Sequence, residues 1–139
     1  GALAEIVTMT GAQPWCGEPD AEAIEATTGV TCRTMWDGDL FRLGDVELDV
    51  IGLVGHTRGS IALRLHGNPI DHVLTGDSLF PGRLGKTSGS REFESLYTDV
   101  CMKIFAPASD TTVIHPGHGD ATTVGEERPN LPLWRARGW

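Results

Sequence analysis

The sequence is poor in cysteine and in basic residues, and it has no long apolar run. Its three cysteines, Cys16, Cys32 and Cys101, are widely spaced and form no C-x-x-C pair. This spacing supports neither a cysteine zinc knuckle nor a disulfide scaffold, and it favours reduced thiols. No run approaches the ~18 apolar residues of a membrane span, and the first residues do not resemble a secretion signal. We therefore expect a cytoplasmic protein with no membrane partner.

The shortage of basic residues also limits the partners. Eleven Lys and Arg stand against nineteen Asp and Glu, which leaves a net charge of −8. Phosphate binding needs clustered cations, and no basic stripe occurs anywhere in the sequence. The composition therefore argues against a nucleic-acid partner.

The residues that are abundant indicate a folded chain with many turns. Hydrophobic residues make up 40% and charged residues 22% of the 139 positions, and there are eighteen glycines and eight prolines. These values are typical of one small domain with several short strands rather than of a helical bundle. With no internal repeat and no linker, we expect a single domain over residues 1–139.

Helical patterns occur at three places. Residues 2–10 and 19–27 each have a short helical pattern, ended by Gly11 and followed by Gly29 respectively. A longer helical period covers residues 90–105, where Ser90 is expected to cap the first turn.

Strand patterns occur between these helices and after them. Residues 46–50 and 61–65 alternate apolar and polar side chains, residues 73–75 form another short strand, and residues 111–114 a further one. The Gly-Asn-Pro sequence at 67–69 predicts a hairpin turn. The predicted fold class is therefore α/β, or α+β.

Three of the predicted strands end in a polar, glycine-rich turn. The turns read GHTRGS at 55–60, GDS at 76–78 and HPGHGD at 115–120. Open α/β sheets place their sites at strand ends, and glycine lets the backbone approach a ligand. Imidazole and carboxylate are ligands that zinc accepts, so His56, Asp77 and His118 are candidate metal ligands. A histidine before a turn is also commonly a hydrogen-bonding surface residue, and these residues alone leave both interpretations open.

The same segments resemble three successive motifs of the metallo-β-lactamase superfamily. GHTRGS at 55–60, TGDSLF at 75–80 and HPGHG at 115–119 occur in the order of that family, with a helix between the last two. The resemblance implies a partial αββα sandwich, mainly its C-terminal half.

The resemblance also implies the roles of individual residues. His56 would bind a first metal ion, Asp77 would bridge two ions and orient the nucleophile, and His118 would bind the second ion. The implied cofactor is Zn²⁺, up to two ions in a complete site, with Fe or Mn as alternatives. A metal-bound hydroxide would attack the substrate carbonyl.

Three further polar residues lie beside the implied ligands. His115 does not match a ligand position, and we expect a supporting or structural role. Thr57 and Ser60 are expected to shape the His56 loop by local hydrogen bonds rather than to act as nucleophiles.

The sequence departs from the family in one large respect. The signature H-x-H-x-D-H, which supplies the other four protein ligands, is absent, and His56 is the first histidine. We expect the chain to be truncated on the N-terminal side of the domain. The chain as given is then predicted to be a poor hydrolase or none.

The implied substrate is a small-molecule thioester or ester. A bridging aspartate at the position of Asp77 is typical of the glyoxalase II-like branch. The resemblance therefore favours thioester or ester hydrolysis over β-lactam hydrolysis. In that branch a basic residue at the position of Lys86 grips an anionic thiol carrier; a solvated surface lysine is the alternative. The competing interpretation is a non-catalytic remnant or interaction module without a functional metal centre, whose exposed sheet edges would allow self-association.

Overall fold

A computed structural model describes residues 1–138 of the chain. The strands in chain order are β1 (Trp15–Gly17), β2 (Arg33–Met35), β3 (Leu40–Leu43), β4 (Val46–Gly52), β5 (Ile61–Leu65), β6 (His72–Gly76), β7 (Leu79–Phe80), β8 (Arg83–Leu84), β9 (Val113–Pro116) and β10 (Thr122–Thr123). The α-helices are α1 (Ala2–Thr10), α2 (Ala21–Thr28), α3 (Ser90–Asp99), α4 (Val124–Glu127) and α5 (Leu131–Arg137). Short 3₁₀ turns at Glu18–Asp20 and Arg128–Asn130 precede α2 and α5, and a π-helical segment, Val100–Phe105, continues α3.

The centre of the fold is a six-stranded mixed sheet in the order β10-β9-β6-β5-β4-β3. Strands β3 to β6 form an antiparallel meander, and β9 then pairs with β6 in parallel. Strand β4 therefore runs in the same direction as β6 and β9, and the C-terminal ends of all three lie at one edge of the sheet. The predicted strands at 46–50, 61–65 and 73–75 are confirmed, and the predicted turn at 67–69 joins β5 to β6.

One face of the sheet carries the hydrophobic core. Ala62, Val73 and Ile114 are fully buried and belong to the same packed cluster as Leu96 of α3 and Ile104 of the π-helical segment. Val73 and Ile114 are direct partners across β6 and β9. The alternation of side chains along each strand puts these residues on one face, which the helices cover.

The opposite face carries a second row of partnered residues. Val50 pairs with Leu63, Leu63 with Leu74, and Leu74 with His115. Val50 is buried, whereas Leu74 is 46% exposed. This face is thus apolar but only partly covered within residues 1–138. The sheet with helices on one face agrees with the predicted mixed α/β class.

The helix predictions are confirmed in position and corrected in detail. Helices α1 and α2 end at Gly11 and Gly29, both in the left-handed conformation that glycine adopts without strain. The N-cap of α3 is Gly89 rather than Ser90, because the amide of Phe93 already bonds to the Gly89 carbonyl and Ser90 is the first helical residue. The end of the predicted 90–105 helix is π-helical, which periodicity alone does not distinguish from an α-helix.

The C-terminal segment packs on the domain through Trp134. This side chain is 2% exposed and meets the ring of Phe105 edge-on at 6.3 Å. The prediction that Trp134 packs back is confirmed, whereas Leu133 is 65% exposed. Trp139, the other tryptophan predicted to pack, lies outside the described residues.

A buried carboxylate joins the C-terminal segment to the β7–β8 hairpin. Glu127 is 5% exposed and accepts hydrogen bonds from the Gly82 amide at 3.0 Å and from the Thr122 hydroxyl at 2.8 Å. Hydrogen bonds to neutral donors satisfy the carboxylate without an ion pair, which offsets its removal from water.

The sequence patterns missed the shortest elements. Strands β1 and β2 form a separate parallel pair, and β7 and β8 form a small hairpin.

No helix within residues 1–138 has the length and apolar character to cross a bilayer. The cytoplasmic location stays a prediction.

Candidate metal centre

The site is built where β6 and β9 end side by side. The Gly117 amide, just after β9, donates to the Gly76 carbonyl at 2.8 Å, so the two loops are joined at their start. Gly76 has a positive φ of 52°, which turns the chain sharply into the residue that follows. Asp77 and the 115–120 loop are thereby brought to one edge of the sheet.

Asp77 and His118 contact each other at this edge. The Nε2 atom of His118 lies 3.6 Å from Oδ1 of Asp77, and the two side chains are 68% and 48% exposed. A β-carbon at Gly117 would lie 2.6 Å from the same Asp77 oxygen, so glycine is needed for the carboxylate to lie against the loop. The His118 ring packs on Phe80 with 4.8 Å between ring centroids. This pair comprises two of the three predicted metal ligands, and it is open to solvent.

His56 follows β4 at the same edge of the sheet and is held by one hydrogen bond. Its Nδ1 lies 2.7 Å from the Lys86 carbonyl oxygen. A carbonyl only accepts hydrogen bonds, so Nδ1 is a donor, and in the neutral ring Nε2 is then the nitrogen with the lone pair. Histidine ligands in metal sites are commonly oriented by such a bond from the second ring nitrogen. The bond therefore leaves His56 with one nitrogen suited to a metal.

The loop that carries His56 is stabilised by polar bonds to the start of α2. The Thr57 hydroxyl donates to Oδ2 of Asp20 at 2.5 Å, and the Gly59 amide donates to Oδ1 of the same carboxylate at 2.8 Å. The Ser60 hydroxyl accepts from the Thr57 amide at 3.0 Å. Asp20 is a residue that the sequence analysis missed, because nothing local indicates a contact across 39 residues.

His115 contacts another histidine, His72. Its Nε2 lies 3.0 Å from Nδ1 of His72, the neighbouring residue diagonally across β6 and β9. One of the two nitrogens donates to the other, so the pair forms a hydrogen bond between adjacent strands.

The expected convergence of three ligands is met only in part. Within residues 1–138, no group of three or more His, Cys, Asp or Glu side chains is arranged to hold a metal ion. The structure brings Asp77 and His118 together, and His56 lies on the loop after β4, bonded to the Lys86 carbonyl. The donor chemistry of the pair still fits zinc, iron or manganese, which accept imidazole and carboxylate ligands. Two contacting ligands are fewer than the three or four of a stable zinc site.

A cavity lies beside His56. It has a volume of about 580 Å³ and is lined by the 54–58 segment, by Ser88 just before α3, and by Arg91 and Glu92 in the first turn of that helix. Helix α3 comes this close because position 55 is glycine: a β-carbon there would lie 2.3 Å from the Glu92 carbonyl oxygen and 2.6 Å from Cβ of Leu96. The cavity is a space in which a substrate could meet the His56 loop.

Comparison with known proteins agrees with this architecture. No protein-family model matches the chain. The hydroxyacylglutathione hydrolase GloC of Haemophilus influenzae is 31% identical over 102 residues, which cover 73% of this chain and 47% of GloC. An uncharacterized protein of Mycobacterium leprae, ML0493, is 42% identical over 100 residues, 70% of this chain and 44% of that protein. The chain thus spans about half the length of the curated relatives it matches.

Solved structures with a similar fold also cover nearly the whole of this chain. ETHE1 from Myxococcus xanthus superposes with a TM-score of 0.76 at 25% identity, over 97% of this chain and 57% of that chain. The B3 metallo-β-lactamase BLEG-1 superposes with a TM-score of 0.76 at 20% identity, over 96% of this chain and 70% of that one. The chain has the metallo-β-lactamase fold. TTHA1623 in a di-iron-bound form superposes with a TM-score of 0.69 at 25% identity, over 96% of this chain and 70% of that one. A metal-bound protein is therefore among the structural neighbours of this chain.

Proposed function

We propose that this chain forms part of a metal-dependent hydrolase of a small-molecule thioester or ester. The observation that carries the proposal is the contact between Asp77 and His118 at the shared edge of β6 and β9, 3.6 Å apart. The likeness to a hydroxyacylglutathione hydrolase supports thioester chemistry over β-lactam hydrolysis. His56, with its oriented ring, is the third proposed ligand.

The proposed cofactor is zinc, with iron or manganese as alternatives. A metal ion bound here would polarise a carbonyl and lower the pKa of water to about 7. The residues of the chain supply the rest. Asp77 would orient the attacking water, the Lys86 carbonyl holds the His56 ring, and the Lys86 ammonium group would bind an anionic part of the substrate.

The first test measures metal binding. We expect Asp77→Ala and His118→Ala each to weaken zinc binding at least about tenfold in calorimetric titration, because each removes one ligand of a small set. The control is His66→Ala, which removes an exposed histidine paired with Asp49 and Asp71 instead. Equal zinc affinity in all four proteins would refute the metal centre.

The second test measures activity. The 139-residue sequence contains no H-x-H-x-D-H motif, so we expect little turnover of a thioester by the chain as given. Adding a segment with that motif upstream should raise zinc content and thioester hydrolysis together, and Asp77→Ala should then remove most of the gain. Full turnover by the 139-residue chain would mean that its site is built differently.

A non-catalytic module is the second candidate. The observation that favours it is that no three metal-ligating side chains within residues 1–138 meet. If the added segment restores neither zinc content nor hydrolysis, this second candidate replaces the first.

A further inference from the structure

Most cations of this acidic chain are engaged by other groups. Of the eleven Lys and Arg side chains, eight have a carboxylate, a carbonyl oxygen or an aromatic ring as partner. The charged groups of the other three, Arg58, Lys86 and Arg91, have no ion-pair or hydrogen-bond partner within residues 1–138. Since the net charge is −8, carboxylates are plentiful elsewhere on the surface.

The three cations come from different parts of the chain and surround the His56 loop. Arg58 lies on that loop and Arg91 in the first turn of α3, and both line the cavity of about 580 Å³. The backbone of Lys86 is bonded to the His56 ring, and its side chain is exposed. The close packing of α3 on Gly55 is what brings Arg91 to the loop. The cations that lack a protein partner are thus concentrated at the candidate site.

We infer that Arg58 and Arg91 form a binding site for an oxyanion, a carboxylate or a phosphate, on the substrate. Guanidinium groups bind such oxyanions by paired, charge-assisted hydrogen bonds. Helix α3 has no side-chain cap, so the positive end of its dipole adds to the attraction at the same cavity. The role as a substrate site rests on the proposed function, whereas anion binding itself does not.

The substrate class follows from this geometry. A thioester or ester whose carrier or acyl part bears an oxyanion would place that group between α3 and the 55–60 loop, with the scissile carbonyl toward the Asp77–His118 edge. Glu92, which also lines the cavity, opposes anion binding and limits the affinity. Neutral substrates gain nothing from the two arginines, so the cavity selects for negative charge.

The test titrates the metal-free chain with inorganic phosphate and with succinate, following backbone amide chemical shifts by NMR. We expect chemical shift changes at Gly55 and Ser88. Arg58→Gln and Arg91→Gln should each bind the anion about fivefold more weakly, since the loss of one exposed ion pair lowers the affinity by up to about this much. The double variant should bind about 25-fold more weakly if the two groups act independently. Glu92→Gln should bind more tightly. Because both arginines are exposed, these variants are expected to fold as the parent does.

The matched control is Arg42→Gln, which makes the same change of charge at a side chain paired with Glu47 on the β3–β4 hairpin. Its phosphate affinity should equal that of the parent. Tighter binding of phosphate than succinate assigns a phosphorylated carrier, and the reverse order assigns a carboxylate. No binding of either ion, unchanged affinity in the double variant, or an equal loss in Arg42→Gln would overturn the inference. Asp77→Ala should leave phosphate binding unchanged while it weakens zinc binding, so this inference and the proposed function fail separately.

Discussion

Replacing Gly55 with alanine tests how helix α3 is held against the site. The added β-carbon would lie 2.3 Å from the Glu92 carbonyl oxygen and 2.6 Å from Cβ of Leu96, too close for either to remain in place. Overpacking of this kind costs about 1–3 kcal/mol. The positive φ of 154° adds about 1–3 kcal/mol for a residue with a side chain, because this region is adopted almost only by glycine. We expect the free energy of unfolding to fall by about 2–6 kcal/mol.

Urea denaturation followed by circular dichroism measures this change. With a denaturant slope of about 2 kcal/mol/M, the midpoint should fall by about 1–3 M. Gly29→Ala is the matched control, because Gly29 also has a positive φ, 71°, but nothing lies within 4 Å of an added β-carbon. Both variants carry a cost for a side chain at positive φ, so the larger part of the difference between them reports the steric clash with α3. If Gly55→Ala destabilises the chain no more than Gly29→Ala, the close approach of α3 to the loop is refuted.

Two further predictions concern the core and the pH dependence. Trp134→Ala should lower the free energy of unfolding by about 3–5 kcal/mol in the same urea assay, because it removes a buried aromatic side chain. The control is Leu133→Ala, at a 65% exposed position, which should change the free energy of unfolding by less than about 0.5 kcal/mol. The hydrogen bond from His66 to Asp49 raises the pKa of His66 above 6.5, so its stabilising contribution is complete below pH 6.5 and is lost as the pH rises through the higher folded-state pKa. Asp49→Asn should reduce this loss between pH 6 and 8.5, and an unchanged pH profile of the urea midpoint would contradict the assignment.

Local patterns predicted the longer elements because side-chain periodicity is a local property. The alternation in 46–50 and 61–65 indicated β4 and β5, and Gly11 and Gly29 marked the ends of α1 and α2. The three-residue strands β1 and β2 were not predictable in this way, because their parallel pairing joins distant segments. The π-helical end of the 90–105 helix shares its apolar spacing with an α-helix, so sequence did not distinguish the two.

The candidate site was predictable in its residues and less so in its contacts. Strand-end motifs identified His56, Asp77 and His118, but which of them touch depends on strand order, which puts β6 beside β9 and β5 between β6 and β4. Asp20 and the cavity cation Arg91 lie outside every motif, and within GHTRGS nothing marks Arg58 as a ligand-binding residue. Their proximity results from how α2 and α3 pack on the 55–60 loop, a tertiary contact that composition and spacing do not encode.

The buried Glu127 has a consequence for the motions of the site. Its carboxylate accepts a hydrogen bond from the Gly82 amide and so links the β7–β8 hairpin to the C-terminal helices. Phe80, in the same hairpin, packs on the His118 ring. The hairpin and the C-terminal helices should therefore open together rather than separately, as one cooperative unit in native-state hydrogen exchange. Loosening the last turns of the chain would then be transmitted, through Phe80, to the His118 side of the candidate metal centre.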